Sequence, residues 1–160
     1  MCADSPSVLT SAMTHTPLDQ KDHEVLRHAL EAARRLYVPG LQEVGAAVRT
    51  AGGDLFSGIH FETAAGFAVV CGEVAALACM VAAGHRDLET VAAVWRDPEG
   101  RSFLLPPCGR CREVISDFNP DAWVVVTEAD DHWDPAAIAR PVKVRVADLL
   151  PRRSHHLPPA

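Results

Sequence analysis

Apolar residues recur at two different spacings along the chain, and the change from one spacing to the other outlines its elements. From Leu18 onward one helical face is apolar, formed by Val25, Leu26, Ala29, Leu30, Ala33, Leu36 and Tyr37. Two further helical runs span about 71–83 and 108–118, and each ends at residues that interrupt helices. The pattern therefore predicts three main helices.

Five other segments have the character of strands. EVGAAVRT and LFSGIHFE flank a Gly-Gly-Asp turn, which predicts a β-hairpin. LETVAAVWRD, AWVVVTEA and RPVKVRV supply three more strands, and AWVVVTEA is apolar throughout, as expected for a strand covered on both faces. A short helix follows the last strand at VADLLP, and the resulting order α-β-β-α-β-α-β-β-α predicts an α/β protein with a mixed sheet and helices on both sides. The segment DDHWDPAAIA fits neither pattern.

Length and composition predict one soluble domain. The chain has 160 residues, 48% of them apolar, which suits a single core. Residues 1–17 are rich in Ser, Thr and Pro and are interpreted as a flexible arm, 18–153 as the domain, and 154–160 as a polar tail. No apolar run reaches the roughly 18 residues of a membrane helix, and the N-terminus lacks a secretory pattern. We therefore expect a cytoplasmic protein with no membrane partner, whose five cysteines are ligands or free thiols.

The charge balance argues against nucleic acid as a partner. The net charge is −6, whereas binding to a phosphate backbone needs a dense basic surface. One basic cluster lies in RPVKVRVADLLPRR, where Lys143 and Arg145 alternate as on the solvent face of an edge strand. A phosphate site is the alternative interpretation of that cluster. The expected partner is a small, neutral molecule.

The strongest chemical pattern is C-x-E followed by P-C-x-x-C. Cys71 and Glu73 start one predicted helix, and Cys108 and Cys111 start another. This spacing matches the zinc deaminases, with cysteine in place of their first histidine. Three protein ligands are the number typical of catalytic zinc, which keeps one position for water. Glu73 is placed to take a proton from that water and pass it on.

Other interpretations of the cysteines are weaker. A redox dithiol needs no third thiol, and its helix usually follows the first strand of a thioredoxin-like unit. A closed four-cysteine site would need Cys79, which lies about 12 Å along the same helix from Cys71 at 1.5 Å per residue. Cys79 is instead interpreted as an ordinary buried thiol, and Cys2 lies in the arm. A non-catalytic scaffold stabilised by zinc remains as an alternative that gives Glu73 no role.

With these motifs the chain resembles the small, three-cysteine cytidine deaminases and their relatives, the blasticidin-S deaminases. The resemblance covers about residues 25–152 and is carried by LYVPGLQEVGAAV, GIHFETAAGFAVVCGE, PPCGRCREV and VADLLP. It implies a three-layer α/β/α sandwich with a mixed five-stranded sheet. It also implies a homotetramer whose active sites borrow residues from neighbouring subunits. Carried onto this sequence, it assigns Cys71, Cys108 and Cys111 as zinc ligands and Glu73 as proton shuttle.

The resemblance also marks candidate substrate contacts, and most of them depart from the family pattern. His60-Phe61-Glu62 stands where the family's ribose-binding stretch has asparagine-x-glutamate, and Gln42 stands where a phenylalanine stacks on the pyrimidine. Gly72 replaces the common alanine between cysteine and glutamate. The substrate-binding candidates are therefore His60, Glu62, Gln42 and Gly72.

Two further departures concern charge and aromatic surface. Val74 replaces an arginine that softens the thiolate charge in cytidine deaminases, and it is more like the apolar residue of the blasticidin enzymes. Phe61 and Phe67 are expected in the core, with a stacking role as the alternative.

The sequence thus predicts zinc-dependent deamination of an exocyclic amino group on a cytosine-type nucleoside or free base. The alternatives within this chemistry are modified or non-natural bases and a cytosine-containing antibiotic such as blasticidin S.

Overall fold

The computed structural model describes residues 13–129 and 131–150 of the chain. Its main helices are α1 (Gln20–Arg35), α2 (Gly72–Ala82) and α3 (Gly109–Phe118). Its strands are β1 (Thr16–Pro17), β2 (Val44–Thr50), β3 (Leu55–Ile59), β4 (Leu88–Arg96), β5 (Ser102–Leu104), β6 (Trp123–Thr127) and β7 (Pro141–Arg145). Short 3-10 turns occupy Gly66–Ala68, Ala137–Ala139 and Val146–Leu149. The unassigned DDHWDPAAIA segment contains the second of these turns.

The sheet is mixed, as predicted. Its strand order is β1-β7-β6-β4-β2-β3. The short strand β5 belongs to the same sheet, where it pairs with β4, but it is not part of this linear order. β4 and β6 run parallel, while the other pairs of strands are antiparallel. All five predicted strands are present in the described part of the chain. The two additional strands have two and three residues, which is too short for a periodic pattern to reveal them.

Helices cover both faces of the sheet, which confirms the three-layer α/β/α class. On one face α1 packs on the central strands through a cluster that includes Val25, Ala29, Ala33, Ala47, Ala92, Val94 and Val125. On the other face α2 and α3 pack through a larger cluster that includes Ala46, Val48, Ala76, Leu77, Met80, Ile115 and Val124. The first turns of α2 and α3 therefore lie on the same side of the sheet.

Glycines let the helices approach the sheet closely. A Cβ atom added at Gly58 in β3 would lie 2.3 Å from the backbone nitrogen of Ala76 in α2. A Cβ at Gly45 in β2 would lie 2.2 Å from the backbone nitrogen of Ala33 in α1. Neither distance is compatible with a side chain at an unchanged backbone, so these two glycines fix the depth of the two helices.

The interpretation of Lys143 as a solvent-facing residue of an edge strand is wrong. β7 lies between β1 and β6, and Lys143 is buried, with its ammonium group bonded to the carboxylate of Asp22 in α1. Arg145 is half-buried, and its guanidinium lies 3.5 Å from the centre of the Trp123 ring. An ion pair with α1 compensates the burial of the lysine, and no alternation pattern reports such a partner.

The N-terminal boundary also differs from the expectation. Thr16 and Pro17 pair with Lys143 and Val142 of β7, so the last two residues of the predicted arm belong to the sheet. Cys2, most of the predicted arm and the tail at 154–160 lie outside the described residues. Within the described ranges no helix has the length and apolar character needed to cross a membrane.

Candidate metal centre

Three cysteines meet where α2 and α3 begin. Cys71 is the residue immediately before α2, Cys108 is the residue immediately before α3, and Cys111 lies in the first turn of α3. Their sulfur atoms all lie within 4.8 Å of one another, and Cys71 Sγ and Cys108 Sγ are 3.7 Å apart. Among the described His, Cys, Asp and Glu residues, no other group of three comes this close.

The donor set fits zinc with one position left for another ligand. Three thiols at this spacing supply the soft ligands that zinc prefers in a tetrahedral site. Cys111 is buried, Cys71 is half-buried and Cys108 is exposed, so the cluster is reached from the surface on one side. Cys79 does not join it. That thiol is exposed on α2, so the prediction that Cys79 is a buried thiol is wrong, because the buried face of α2 is formed by Ala76, Leu77 and Met80 and does not include Cys79.

The three thiols need a nearby cation if all of them are to ionise. Burial raises the pKa of both Cys71 and Cys111, and nearby Glu73 raises the pKa of Cys111 further. For Cys108, burial is outweighed by hydrogen bonds from the backbone N–H and side chain of Cys111, which lower its pKa. Three thiolates at this spacing repel one another, and a divalent cation supplies the charge that allows all three to ionise.

Glu73 lies in the first turn of α2, two residues after Cys71. Its side chain is buried, with 5% relative exposure. Removal from water raises the pKa of this carboxyl group, because burial disfavours its charged form. A buried carboxyl group with a raised pKa beside a metal cluster is suited to accept and return a proton.

Arg110 is a component of the centre that the sequence did not reveal. One terminal nitrogen of its guanidinium lies 3.0 Å from Cys71 Sγ and 2.9 Å from the carbonyl oxygen of Val69. The contact with Cys71 raises the pKa of Arg110. The guanidinium thus supplies positive charge beside the thiol. Its place inside C-G-R-C was the available signal, but the sequence does not show which way the side chain turns.

The candidate substrate contacts gather near the start of β2. The backbone N–H of His60 donates to the carbonyl of Val44, and a Cβ added at Gly72 would lie 2.6 Å from the same carbonyl oxygen. His60 Nε2 lies 3.0 Å from Glu62 Oε1. The structure therefore brings His60, Glu62 and Gly72 to the end of α2 that carries Cys71.

Gln42 lies beside this group in a tight turn. Its backbone N–H donates to the carbonyl of Val38 at 2.8 Å, and the neighbouring carbonyl of Leu41 accepts from the backbone N–H of Glu62 at 2.9 Å. The loop that holds Gln42 is thus joined to the stretch that holds Glu62.

The expectation that Phe61 and Phe67 belong to the core is wrong. Phe61 is 38% exposed and Phe67 is 93% exposed. Phe67 lies in the 3-10 turn Gly66–Ala68, which connects β3 to α2 outside the layers of the sandwich. None of the three residues of that turn is buried, so apolar character alone gave the wrong location.

Fold and centre together define a zinc-dependent aminohydrolase, and comparison with known proteins gives the family. The model of the cytidine and deoxycytidylate deaminase zinc-binding region matches residues 19–127. This chain belongs to that family.

Curated relatives carry two different names. A blasticidin-S deaminase from Bacillus cereus is 38% identical over 113 residues, covering 68% of this chain and 81% of the relative. A cytidine deaminase from Mycobacterium tuberculosis is 31% identical over 133 residues, covering 81% of this chain and 87% of the relative. Among solved structures, the cytidine deaminase from Burkholderia pseudomallei matches with a TM-score of 0.65 and 28% identity. That match covers 84% of this chain and 98% of the other.

Proposed function

We propose that the protein hydrolyses the exocyclic amino group of a cytosine-type ring, presented as a nucleoside or as the free base. The observation that carries this proposal is the juxtaposition of buried Glu73 with three thiols at the starts of two helices. Family membership and the names of the relatives support the same chemistry.

Cys71, Cys108 and Cys111 would hold the zinc ion. When bound, zinc acts as a Lewis acid that makes water a stronger nucleophile near neutral pH. Glu73 takes a proton from the attacking water and delivers protons to the ring nitrogen and to the departing amino group. Water adds to the ring carbon, the carbon–nitrogen bond breaks, and the products are a ring carbonyl and ammonia. Arg110 and the two helix N-termini balance the negative charge of the thiolates.

A cytosine-containing antibiotic such as blasticidin S is the second candidate substrate. It is favoured by the 38% identity to a blasticidin-S deaminase. Val74 and the sequence His60-Phe61-Glu62 support it too, since both depart from the pattern of cytidine deaminases. Modified and non-natural bases are further members of the same substrate class.

Ammonia release from the zinc-loaded enzyme tests the proposal. The panel contains cytidine, deoxycytidine, cytosine, blasticidin S, modified cytosines and guanine, compared by kcat/KM. We expect turnover of at least one cytosine-type compound and none of guanine. If His60 has replaced a ribose contact, cytidine should exceed cytosine by tenfold or less, since one neutral hydrogen bond contributes about 0.5–1.5 kcal/mol. Zinc-loaded protein that releases no ammonia from any member would contradict the proposed function.

We also propose that the enzyme is a cytoplasmic homotetramer. Assembly is supported by α2, whose residues after Glu73 are all apolar, and by a groove between α2 and α3 of about 370 Å³. We call this the α2–α3 groove; it is lined by Val74, Leu77, Ala78, Val81, Ala82, Val114 and Phe118. The cytoplasmic location is supported by the thiol chemistry, because the proposed ligands must stay reduced.

A further inference from the structure

Trp95 lies on the face and at the end of the sheet that carry the metal centre. It stands opposite Val44 on the adjacent strand, and residues paired in this way point to the same face. Val44 packs against the cluster under α2 and α3. A Cβ atom added at Gly72, the first residue of α2, would lie 2.6 Å from the carbonyl oxygen of Val44. The indole ring of Trp95 therefore projects toward the side on which α2 and α3 begin.

A row of three aromatic rings leads from the interior to the surface at this position. Phe103 in β5 pairs with Trp95, and the centres of the two rings are 5.0 Å apart. Trp133 meets Trp95 edge to face, with 5.8 Å between the ring centres. Phe103 is buried and Trp95 is half-buried, whereas Trp133 is 67% exposed. We call Trp95 and Trp133 the aromatic wall.

The aromatic wall is held in place beside the approach to the metal centre. Its half-buried ring donates the indole N–H to Glu43 Oε2 at 3.1 Å, which ties the ring to the loop before β2. His132, which precedes Trp133, lines a cavity of about 450 Å³ together with Pro106. Pro106 lies two residues before Cys108, the exposed thiol of the cysteine cluster. A molecule that enters the centre from solvent therefore passes close to the wall.

The depth of the two places decides which part of such a molecule each can contact. Glu73 is 5% exposed, so the ring that reacts must be inserted into the centre, whereas Trp133 lies at the surface. Indole faces bind flat, apolar groups, since the contact buries apolar area and aromatic rings attract one another. The N–H of Trp95 is already used by Glu43, so the inner ring of the wall offers apolar surface and no free donor.

We propose that the aromatic wall binds a flat, apolar extension of the substrate, carried by the cytosine-type ring on its outward side. Neither tryptophan belongs to the stretches that the resemblance assigns to the base or the ribose. This inference rests on the proposed function and adds to it the class of substituent. The wall does not touch the reacting atoms, so its contact is equal before and during the reaction and lowers KM without changing kcat. Trp133 is thus a specificity-determining residue.

Two cytosines that differ in the group on N1 test this proposal. The zinc-loaded enzyme is assayed with 1-benzylcytosine and 1-methylcytosine. The dissociation constants of the corresponding products, 1-benzyluracil and 1-methyluracil, are measured by calorimetry. We expect the benzyl compound to exceed the methyl compound at least about tenfold in kcat/KM, and its product to bind correspondingly tighter, because a contacting phenyl ring adds buried apolar area and ring–ring attraction.

Trp133→Ala removes the exposed ring of the wall. We expect it to lower the benzyl-to-methyl ratio at least about fivefold through KM, with kcat, zinc content and sedimentation unchanged. Trp133→Phe should retain most of the ratio. Trp123→Phe is the control at the opposite end of the sheet, where β6 begins, and should keep the wild-type ratio. If Trp133→Ala does not fold, quenching of tryptophan fluorescence by 1-benzyluracil, expected in wild type and reduced in Trp133→Phe, gives the same information.

Three results would overturn the inference while leaving the proposed function intact. They are equal values for the benzyl and methyl compounds, a ratio that Trp133→Ala leaves unchanged, and ammonia from the wider panel but from neither N1 compound. A Trp133→Ala variant that sediments differently from wild type would assign Trp133 to a subunit contact and would overturn the inference too. Absence of ammonia from both compounds and from the wider panel would instead reject the proposed function.

Discussion

At the scale of single residues, the helix position of Glu73 and its burial have opposite effects on the charge of its carboxyl group. Its place in the first turn of α2 follows from the sequence, and a carboxylate there is stabilised by the helix dipole. Its burial comes from the packing of α2 on the sheet, and burial raises its pKa. The combination gives a group that ionises and yet readily takes a proton back.

Replacing Glu73 with Gln tests this role. Glutamine keeps the size and hydrogen bonding of the side chain but cannot accept the proton. General acid–base catalysis contributes about 10²–10⁴-fold, and a residue that serves several proton transfers belongs at the upper end of that range. We expect a loss of at least about 10³-fold in kcat, with the zinc content and thermal unfolding of the wild type. Glu31→Gln is the control, and activity of Glu73→Gln within tenfold of wild type would remove Glu73 from the mechanism.

Arg110 acts on the metal through Cys71. Its guanidinium contacts the sulfur atom at 3.0 Å and so opposes the charge that a third thiolate brings. Partners of metal ligands commonly change metal affinity by about 10–100-fold when they are removed. We expect Arg110→Gln to weaken zinc binding by about tenfold or more, measured by competition with a chelator, and Arg110→Lys to weaken it less. Arg34→Gln at the exposed end of α1 is the control, and an unchanged zinc affinity in Arg110→Gln would contradict this role.

At the scale of elements, the start of α1 is tied to β7 by charge. Asp19 accepts hydrogen bonds from the backbone N–H groups of Lys21 and Asp22, and the side chain of Asp22 accepts from the backbone N–H of Asp19. The ammonium of Lys143 in β7 contacts both carboxylates. This arrangement combines a reciprocal cap of the helix with an ion pair to the sheet.

The cap makes stability depend on pH in the acid range. The Asp22 backbone N–H, together with Lys143, holds the pKa of Asp19 below its ordinary value of 3.8. A depressed carboxyl pKa stabilises the fold above pH 3.8, and this contribution is lost as the pH falls through the lower, folded-state pKa. Asp19→Asn keeps a good capping side chain but removes the charge. We expect wild type to be more stable than Asp19→Asn at pH 6 in urea unfolding, and the difference to shrink as the pH falls below 3.8. A difference that persists in acid would show that the charge of Asp19 is not its cause.

At the scale of the whole molecule, the exposed apolar surface of the α2–α3 groove is a feature that the fold of a single chain does not explain. The α2–α3 groove carries only apolar side chains, and Val81 at its edge is 41% exposed. Surfaces of this kind commonly mark contacts with another protein. A second copy of the chain is the partner that the proposed tetramer supplies.

A charge in the groove should break that assembly. We expect wild type to sediment as a tetramer at micromolar concentration and Val81→Glu to sediment as smaller species, because an unpaired carboxylate is costly to bury. Ala51→Glu in the β2–β3 turn places the same charge on a loop and should remain tetrameric. A monomeric wild type would contradict the proposed assembly, and a tetrameric Val81→Glu would place the contact elsewhere on the surface.

The amino-acid sequence by itself determined the helical and strand periods, the mixed sheet and the three-cysteine cluster with Glu73. The periods follow from local rules, since a spacing of a few residues fixes which side chains lie on one face of an element. The cluster was predicted because the combined C-x-E and P-C-x-x-C pattern matches the zinc deaminases, although Cys71 and Cys108 are 37 residues apart. Only the tertiary structure decided that Lys143 is buried against Asp22, that Arg110 turns to Cys71, and that Phe67 lies outside the core. The first two depend on contacts between residues distant in sequence, and Phe67 lies in a turn without buried residues, so no local spacing predicts these outcomes. The same holds for the pairing of Thr16 and Pro17, because a partner strand more than 120 residues away makes them part of the sheet.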